Sequence, residues 1–190
     1  MVKKGLSLAL LLLLTVPAIA QQKMRDVIST MPDSLIPYLT ENNRLDMIDF
    51  KEANMKAEVH NAFEGKTELM VLTDSYASIT LNEAHRLQLR LLDVAAPVDS
   101  CQQILCVVDT YGRDIHDSSV RFFSLRWRQL PTDRYVSLPA TTFTAELSDQ
   151  QPTLLLNVLD YLDAPATEEQ KRPDGLQINL KWNGKSFNKL

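Results

Sequence analysis

Glycine is scarce in this sequence. Five occur in 190 residues, at positions 5, 65, 112, 175 and 184, and each stands alone. A phosphate cradle needs glycines spaced so that the backbone can close on the anion, so their isolation argues against nucleotide-dependent chemistry. Cysteine is scarcer still: Cys101 and Cys106 are the only two, which excludes a disulfide-stapled miniprotein. In one extended strand their Cα atoms would stand about 16 Å apart, against the roughly 4.4–6.8 Å of a disulfide. They bridge only if Cys101 belongs to a turn that folds back; otherwise Cys106 is a buried core thiol. The three histidines, His60, His85 and His116, include no pair at helical i,i+3 or i,i+4 spacing. Asp114 and His116 face one way on an extended segment with Asp117 nearby, but a metal site needs three or four ligands converging from separate elements. Neither a Gly-x-Ser-x-Gly elbow nor an EF-hand loop is present. No cofactor and no metal is expected. Basic residues are not in excess either: 20 stand against 24 acidic ones, for a net charge of −4, which argues against a nucleic-acid partner.

What is present is an ordinary folding composition, 45% hydrophobic and 23% charged. It opens on an export signal. Lys3 and Lys4 form a positive start, Leu6 to Leu14 an apolar run, and Pro17 precedes Ala18-Ile19-Ala20. Small residues at Ala18 and Ala20 suit the signal-peptidase pocket, so cleavage before Gln21 is expected. The run is short of the about 20 apolar residues of a membrane helix, and no cysteine follows it to accept a lipid. The reading is a signal peptide over 1–20 and a single mature domain over 21–190, exported, periplasmic or surface-associated, not a lipoprotein, with no transmembrane segment. The lack of any Asn-x-Ser/Thr acceptor after residue 20 fits a bacterial envelope.

Residues 24–65 read as helical. Met31-Pro32-Asp33-Ser34 turns into a short helix capped by Ser34, with Pro37 in its first turn, and Asn42-Asn43 starts a second. On the second, Leu45, Ile48 and Met55 fall near one face with Met47 and Phe50 beside them, and Glu52–Lys56 has supporting i,i+4 spacing. Residues 66–130 change to a period of two. Ala77, Ile79 and Leu81 alternate with Ser78 and Thr80, and Leu87, Leu89 and Leu91 with Arg86, Gln88 and Arg90. Strands with one dry and one wet face belong to antiparallel sheets. Ile104 to Val108 is apolar throughout, a strand buried on both faces, and Ser119 to Trp127 sets Phe123, Leu125 and Trp127 opposite Val120 and Phe122. Residues 131–190 read as a long connection to about 150, then a segment from Thr153 to Leu162 that fits helix or strand, and a short helical turn over Thr167–Arg172. Leu176 to Trp182 is a closing strand, with Asn183-Gly184 as a two-residue turn returning Phe187 opposite Leu180. The expected fold is α+β: N-terminal helices, a mostly antiparallel sheet, and a C-terminal hairpin, with no linker and no internal repeat.

Two clusters invite a functional reading. Asp46 and Asp49, followed by Glu52, are i,i+3 neighbours that could hold calcium or do acid–base work; the competing account is a solvated helix face laced with Arg44, Lys51 and Lys56. Arg121, Arg126, Arg128 and Arg134 interleave with Phe122, Phe123, Trp127 and Tyr135, a pattern that binds acidic glycans or nucleic acid; the competing account is core aromatics with arginines on the wet face.

The run Met31 to Phe50, MPDSLIPYLTENNRLDMIDF, resembles the N-terminal signature of a family of exported Bacteroidales proteins of unknown function. Leu72-Thr73-Asp74-Ser75-Tyr76, Val108 to Gly112, Trp127 to Leu130 and Trp182 to Phe187 resemble it as well. The resemblance implies an envelope location and gives no catalytic residues to carry over. The function expected is a non-enzymatic binding or assembly module for an envelope protein or a glycan. The alternatives are a hydrolase assembled only in the fold from Asp46, Asp49 and the histidines, and a self-associating architectural subunit.

Overall fold

A computed structural model describes residues 21–158 and 176–190. The expected cleavage residues Ala18 and Ala20, the remainder of the ambiguous segment after Val158, and the turn at Thr167–Arg172 lie outside the described residues; Gln21 is the first residue described.

Two short helices, α1 (Met24–Ser29) and α2 (Glu41–Glu52), precede eleven strands. The first seven are β1 (Glu58–His60), β2 (Lys66–Leu72), β3 (Tyr76–Asn82), β4 (His85–Val98), β5 (Cys101–Tyr111), β6 (Asp117–Ser124) and β7 (Gln129–Leu130). They form one antiparallel meander in sequence order. The last four, β8 (Phe143–Leu147), β9 (Thr153–Val158), β10 (Leu176–Trp182) and β11 (Phe187–Lys189), form a second, smaller one. The described residues are predominantly β, with the two α-helices at the N-terminal end and a single 3-10 turn at Thr132–Arg134.

The larger sheet is the middle layer. Its odd-numbered residues Leu87, Leu89, Leu91, Leu105, Val107 and Phe123 pack with Met24, Ile28, Met47 and Ile48 of the helices. Its even-numbered residues Leu92, Ile104, Cys106, Val108, Val120 and Phe122 pack with Ala145, Leu154, Leu156, Leu180, Trp182 and Phe187 of the smaller sheet. Each fully buried side chain of this kind contributes ~1.5–3 kcal/mol. The uninterrupted 104–108 run is thus a strand covered on both faces, as its composition requires. Cys106 and Cys101 are both free thiols, and burial pushes the Cys106 thiol well up, leaving it inert.

Several expectations change. No helix forms at Ser34. Pro37 has no N–H and so removes one of the two amides, those of residues 36 and 37, that a Ser34 cap could accept from. Isolated turns, Leu35 N to Pro32 O and Leu39 N to Ile36 O, take its place. The second helix starts at Glu41, one residue ahead of the expected Asn42-Asn43, and is capped by Thr40, whose hydroxyl accepts from Asn43 N while Asn43 Oδ1 accepts from Thr40 N. Its buried residues are Arg44, Met47 and Ile48, and Leu45 and Met55 are exposed. Arg44, placed by sequence on a wet face, is buried because it donates to Asp33 Oδ1 (2.7 Å) and Leu39 O (2.9 Å), tying the 32–39 turns to the helix. Glu52 pairs with Arg25 at 2.6 Å rather than Lys56, since the helix ends before Lys56. A strand, β1, begins inside the region read as helical.

The stretch read as a connection contains β8, and Thr153–Val158 is strand β9. At the C-terminal hairpin Trp182, not Leu180, faces Phe187. Asn183 Oδ1 accepts from both Lys185 N and Ser186 N, which fixes a four-residue turn.

The wet face expected of β3 and β4 is wet only at Thr80 and Arg86, which stay half-exposed. Ser78, Gln88 and Arg90 are buried because β8 lies over them. Among the described residues β8 is an edge strand, paired on one side only with β9, and its outward backbone groups find side chains of the larger sheet. Leu147 N donates to Gln88 Oε1 (3.3 Å) and Gln88 Nε2 donates to Leu147 O (3.4 Å), so one side-chain amide pairs with the strand as a neighbouring strand would. Ala145 N donates to Ser118 Oγ (3.0 Å) and Arg90 Nη1 to Ser148 O (2.7 Å). Replacing Gln88 by alanine strands the Leu147 amide in the interior and removes the Gln88 bond to the Tyr76 hydroxyl (2.7 Å). The expected cost is about 3 kcal/mol in urea unfolding, against less than about 0.5 kcal/mol for the exposed Gln150→Ala. Equal costs would contradict this role.

Candidate functional site

β4 begins at His85 and β5 ends at Tyr111, and the two residues are direct cross-strand partners. Both continue the odd-numbered parity that faces the helices, as do Asp109 and Arg121. Ahead of Leu87, the first leucine of β4, the apolar layer gives way to a polar brace. Asp109, 3% exposed, accepts from His85 Nε2 at 3.1 Å on one oxygen and from Arg121 Nη2 at 2.6 Å on the other. Burial on its own raises the Asp109 carboxyl, but the bonds from His85 and Arg121 outweigh it and hold the group below the usual carboxylate range. Arg121 in turn lies over the Phe123 ring at 5.5 Å.

The brace fixes the plane of the His85 ring, and aromatic rings build on it in sequence. Tyr111 stacks on it at 4.3 Å and 28°, Tyr38 meets it edge-on at 5.9 Å, and Phe63 meets Tyr38 edge-on at 5.2 Å. These are favoured aromatic geometries. The far end is held as firmly. Buried Asn61 accepts from Phe63 N (3.0 Å) and Gly65 N (3.1 Å) on Oδ1, and its Nδ2 donates to Thr67 Oγ1. Ala62 N donates to Tyr38 O. Yet the rings so held are open to solvent: Phe63 is 65% exposed and Tyr111 47%.

On the opposite face of the same sheet end lies an open groove of about 430 Å³ between the two sheets, lined among others by Asn82, His85, Arg86, Glu146 and Asn157. A second, of about 440 Å³, continues past the Arg86–Glu146 pair (3.6 Å) towards Gln88, Asp149 and Asn179.

Of the residues singled out in the sequence, only His85 and Arg121 enter this site, with His116 on the groove wall. Asp46 and Asp49 are exposed on α2 and His60 is exposed at the end of β1. Among the described residues neither carboxylate hydrogen-bonds to a histidine, and Asp109, not Asp46 or Asp49, is the acid paired with His85. His85 has its orienting carboxylate, but among the described residues no serine, threonine or cysteine hydrogen-bonds to it. No three His, Cys, Asp or Glu side chains among the described residues converge to hold a metal ion. The arginine–aromatic cluster follows its competing account only in part: Arg121 lies on the Asp109 brace rather than on a wet face, and Trp127 is half-buried. Phe122, Phe123 and Tyr135 are core, and Arg128 pairs with Asp99 at 2.6 Å. Tyr38, Phe63, Tyr111 and Asp109 were missed. Asp109 had a signal: it follows the Ile104–Val108 run on the parity that the sequence assigns to the core, where an acid requires a partner.

These features define a class: a two-sheet antiparallel sandwich whose larger sheet is covered on its other face by short helices. The chain belongs to the family described as "Protein of unknown function (DUF3256)", which it matches over residues 16–185. Among solved structures it is similar to one described as "Structure of a domain of an uncharacterized protein from Porphyromonas gingivalis W83". The TM-score is 0.71 at 18% identity, covering 90% of this chain and 99% of that one; at this identity the likeness is one of fold. No curated protein matches the chain.

The brace carries a pH signature. A carboxyl held below its unfolded value, near ~3.9, stabilises the fold above that pH, and the contribution fades as pH falls through the folded pKa. Asp109→Asn is expected to lose about 3 kcal/mol at neutral pH, with the gap to the parent narrowing below pH ~4. Urea unfolding across pH reads this; a gap that does not change with pH contradicts it.

Proposed function

We propose that this chain is a non-enzymatic binding module exported to the bacterial envelope, and that the strip Phe63–Tyr38–His85–Tyr111 is its contact surface. One observation carries the reading: exposed aromatic rings are immobilised by buried polar groups. Solvent-facing Phe63 and Tyr111 add little to the core, and leaving them in water is unfavourable. Holding them rigid lowers the entropy lost when a ligand covers them. Aromatic anchors on a preorganised frame are the usual centre of a binding surface. The envelope location rests on the leader pattern of residues 1–20 and on the family resemblance of the chain.

Two measurements test it. In a secreting bacterial host the recovered protein should begin at Gln21 by intact mass; retention of residues 1–20 contradicts export. The Phe63→Ala and Tyr111→Ala variants should each unfold within about 1 kcal/mol of the parent. Combined, they should weaken retention of envelope components on the immobilised mature chain at least about tenfold. Undiminished retention contradicts the strip as the contact surface.

A further inference from the structure

The groove and the aromatic strip lie on opposite faces of the same sheet end and meet at one lip, where His85 and Gly112 line the groove and Tyr111 lies between them in the sheet. The groove's chemistry is unlike that of a side-chain pocket. Apart from Ala84, Ala145 and Gly112, every lining residue carries a polar side chain. These side chains are polar, yet carbon makes up most of the surface they present to the groove.

The charges of the groove are already matched. Arg86 faces Glu146 at 3.6 Å, and Glu83 is held by Arg113 at 2.6 Å. An anionic or cationic ligand would have to break one of these pairs to gain a counter-charge. What remains is a set of neutral groups, Thr80, Asn82, Thr144 and Asn157, that both donate and accept hydrogen bonds. Asn157 Nδ2 donates to Thr144 Oγ1 (3.4 Å) and Asn82 Oδ1 accepts from Ala84 N (2.8 Å), each leaving further capacity, while Thr110 is buried against Ser118. Hydroxyl groups of a ligand also donate and accept.

Next to this set, Tyr111 has one ring face on His85 and is still 47% exposed, which leaves its other face to solvent. The carbon-bound hydrogens on the face of a sugar ring are weakly positive and pack on the negative face of an aromatic ring. Hydrogen-bonding groups without net charge, beside a fixed aromatic plane, match a molecule with hydroxyls at its rim and C–H bonds on its face.

We propose that the groove is a subsite for a neutral saccharide, and that a longer chain continues over the lip onto the Tyr111 ring. The inference rests on the strip being a contact surface and names the ligand class of that surface. The test titrates the isotope-labelled mature chain with short neutral glucan oligomers, N-acetylhexosamine oligomers and uronic acid oligomers, read by NMR. At least one neutral series should shift the side-chain amides of Asn82 and Asn157, and longer members should also shift the Tyr111 ring. Asn157→Ala, and Thr144→Val with its strand packing kept, should each weaken binding about tenfold while the remaining amide spectrum is unchanged. Tyr111→Ala should weaken only the longer members.

The proposal is overturned if no neutral series shifts the groove amides, or if the uronic acid series binds more tightly than both neutral ones. If saccharides fail while Phe63→Ala/Tyr111→Ala still abolishes envelope retention, the ligand of the strip is a protein. The saccharide inference then falls and the binding reading stands. If both fail, both readings fall.

Discussion

The pairing of the Gln88 amide with the backbone of Leu147 decides how the two sheets fit together. Among the described residues β8 is an edge strand at the sandwich interface, and an edge strand that is neither paired nor covered carries unpaired amides and invites aggregation. Here the amides are spent on side chains of the other sheet. Gln88 supplies a donor and an acceptor, Ser118 an acceptor, and Arg90 reaches the next carbonyl. Each bond is modest, about 1 kcal/mol net, but any group left unmade at this depth costs more than that. The set therefore fixes a register between sheets that apolar contacts alone would let slide. Apolar cover then follows, with Leu154, Leu156 and Leu180 brought over Cys106, Val108 and Phe122.

The same device, a polar side chain buried to hold a backbone, recurs wherever the fold has little regular structure. Arg44 ties the turns of residues 32–39 to α2, and Asn61 closes the turn that carries Phe63. Asp109 holds His85 and Arg121 where the leucine layer ends. The helices are too short to be stable by themselves, and these braces fix the chain between and around them. At the sheet end the outcome is a rigid aromatic strip open to water, and across the lip a groove of compensated charge. Fold and proposed function thus depend on the same kind of interaction.

How far this was legible in the sequence follows from the same physics. The alternation Leu87, Leu89, Leu91 and the apolar 104–108 run are local signals, and both the strands and the double burial of β5 followed from them. The polar partners of that alternation were read as solvent-facing because period two reports which residues share a face, not what covers the other face. Covering by β8 is a contact between residues about sixty positions apart. β8 itself alternates over only Phe143, Ala145 and Leu147, and β1 is three residues long, both too short for a period to stand out. The helix expected at Ser34 is replaced by two isolated turns, held through Arg44 by contacts that come from the following helix. The aromatic strip was not readable, since Tyr38, Phe63, His85 and Tyr111 come from four separate segments and meet only through sheet register.

The central claim, that β8 is paired by side chains of the larger sheet as if by another strand, is tested most directly by native-state hydrogen exchange at the Ala145 and Leu147 amides. If the claim holds, both exchange only as slowly as global unfolding allows, level with the amides of β5. Exchange at the fast rate of an uncovered edge, well ahead of β5, would contradict it.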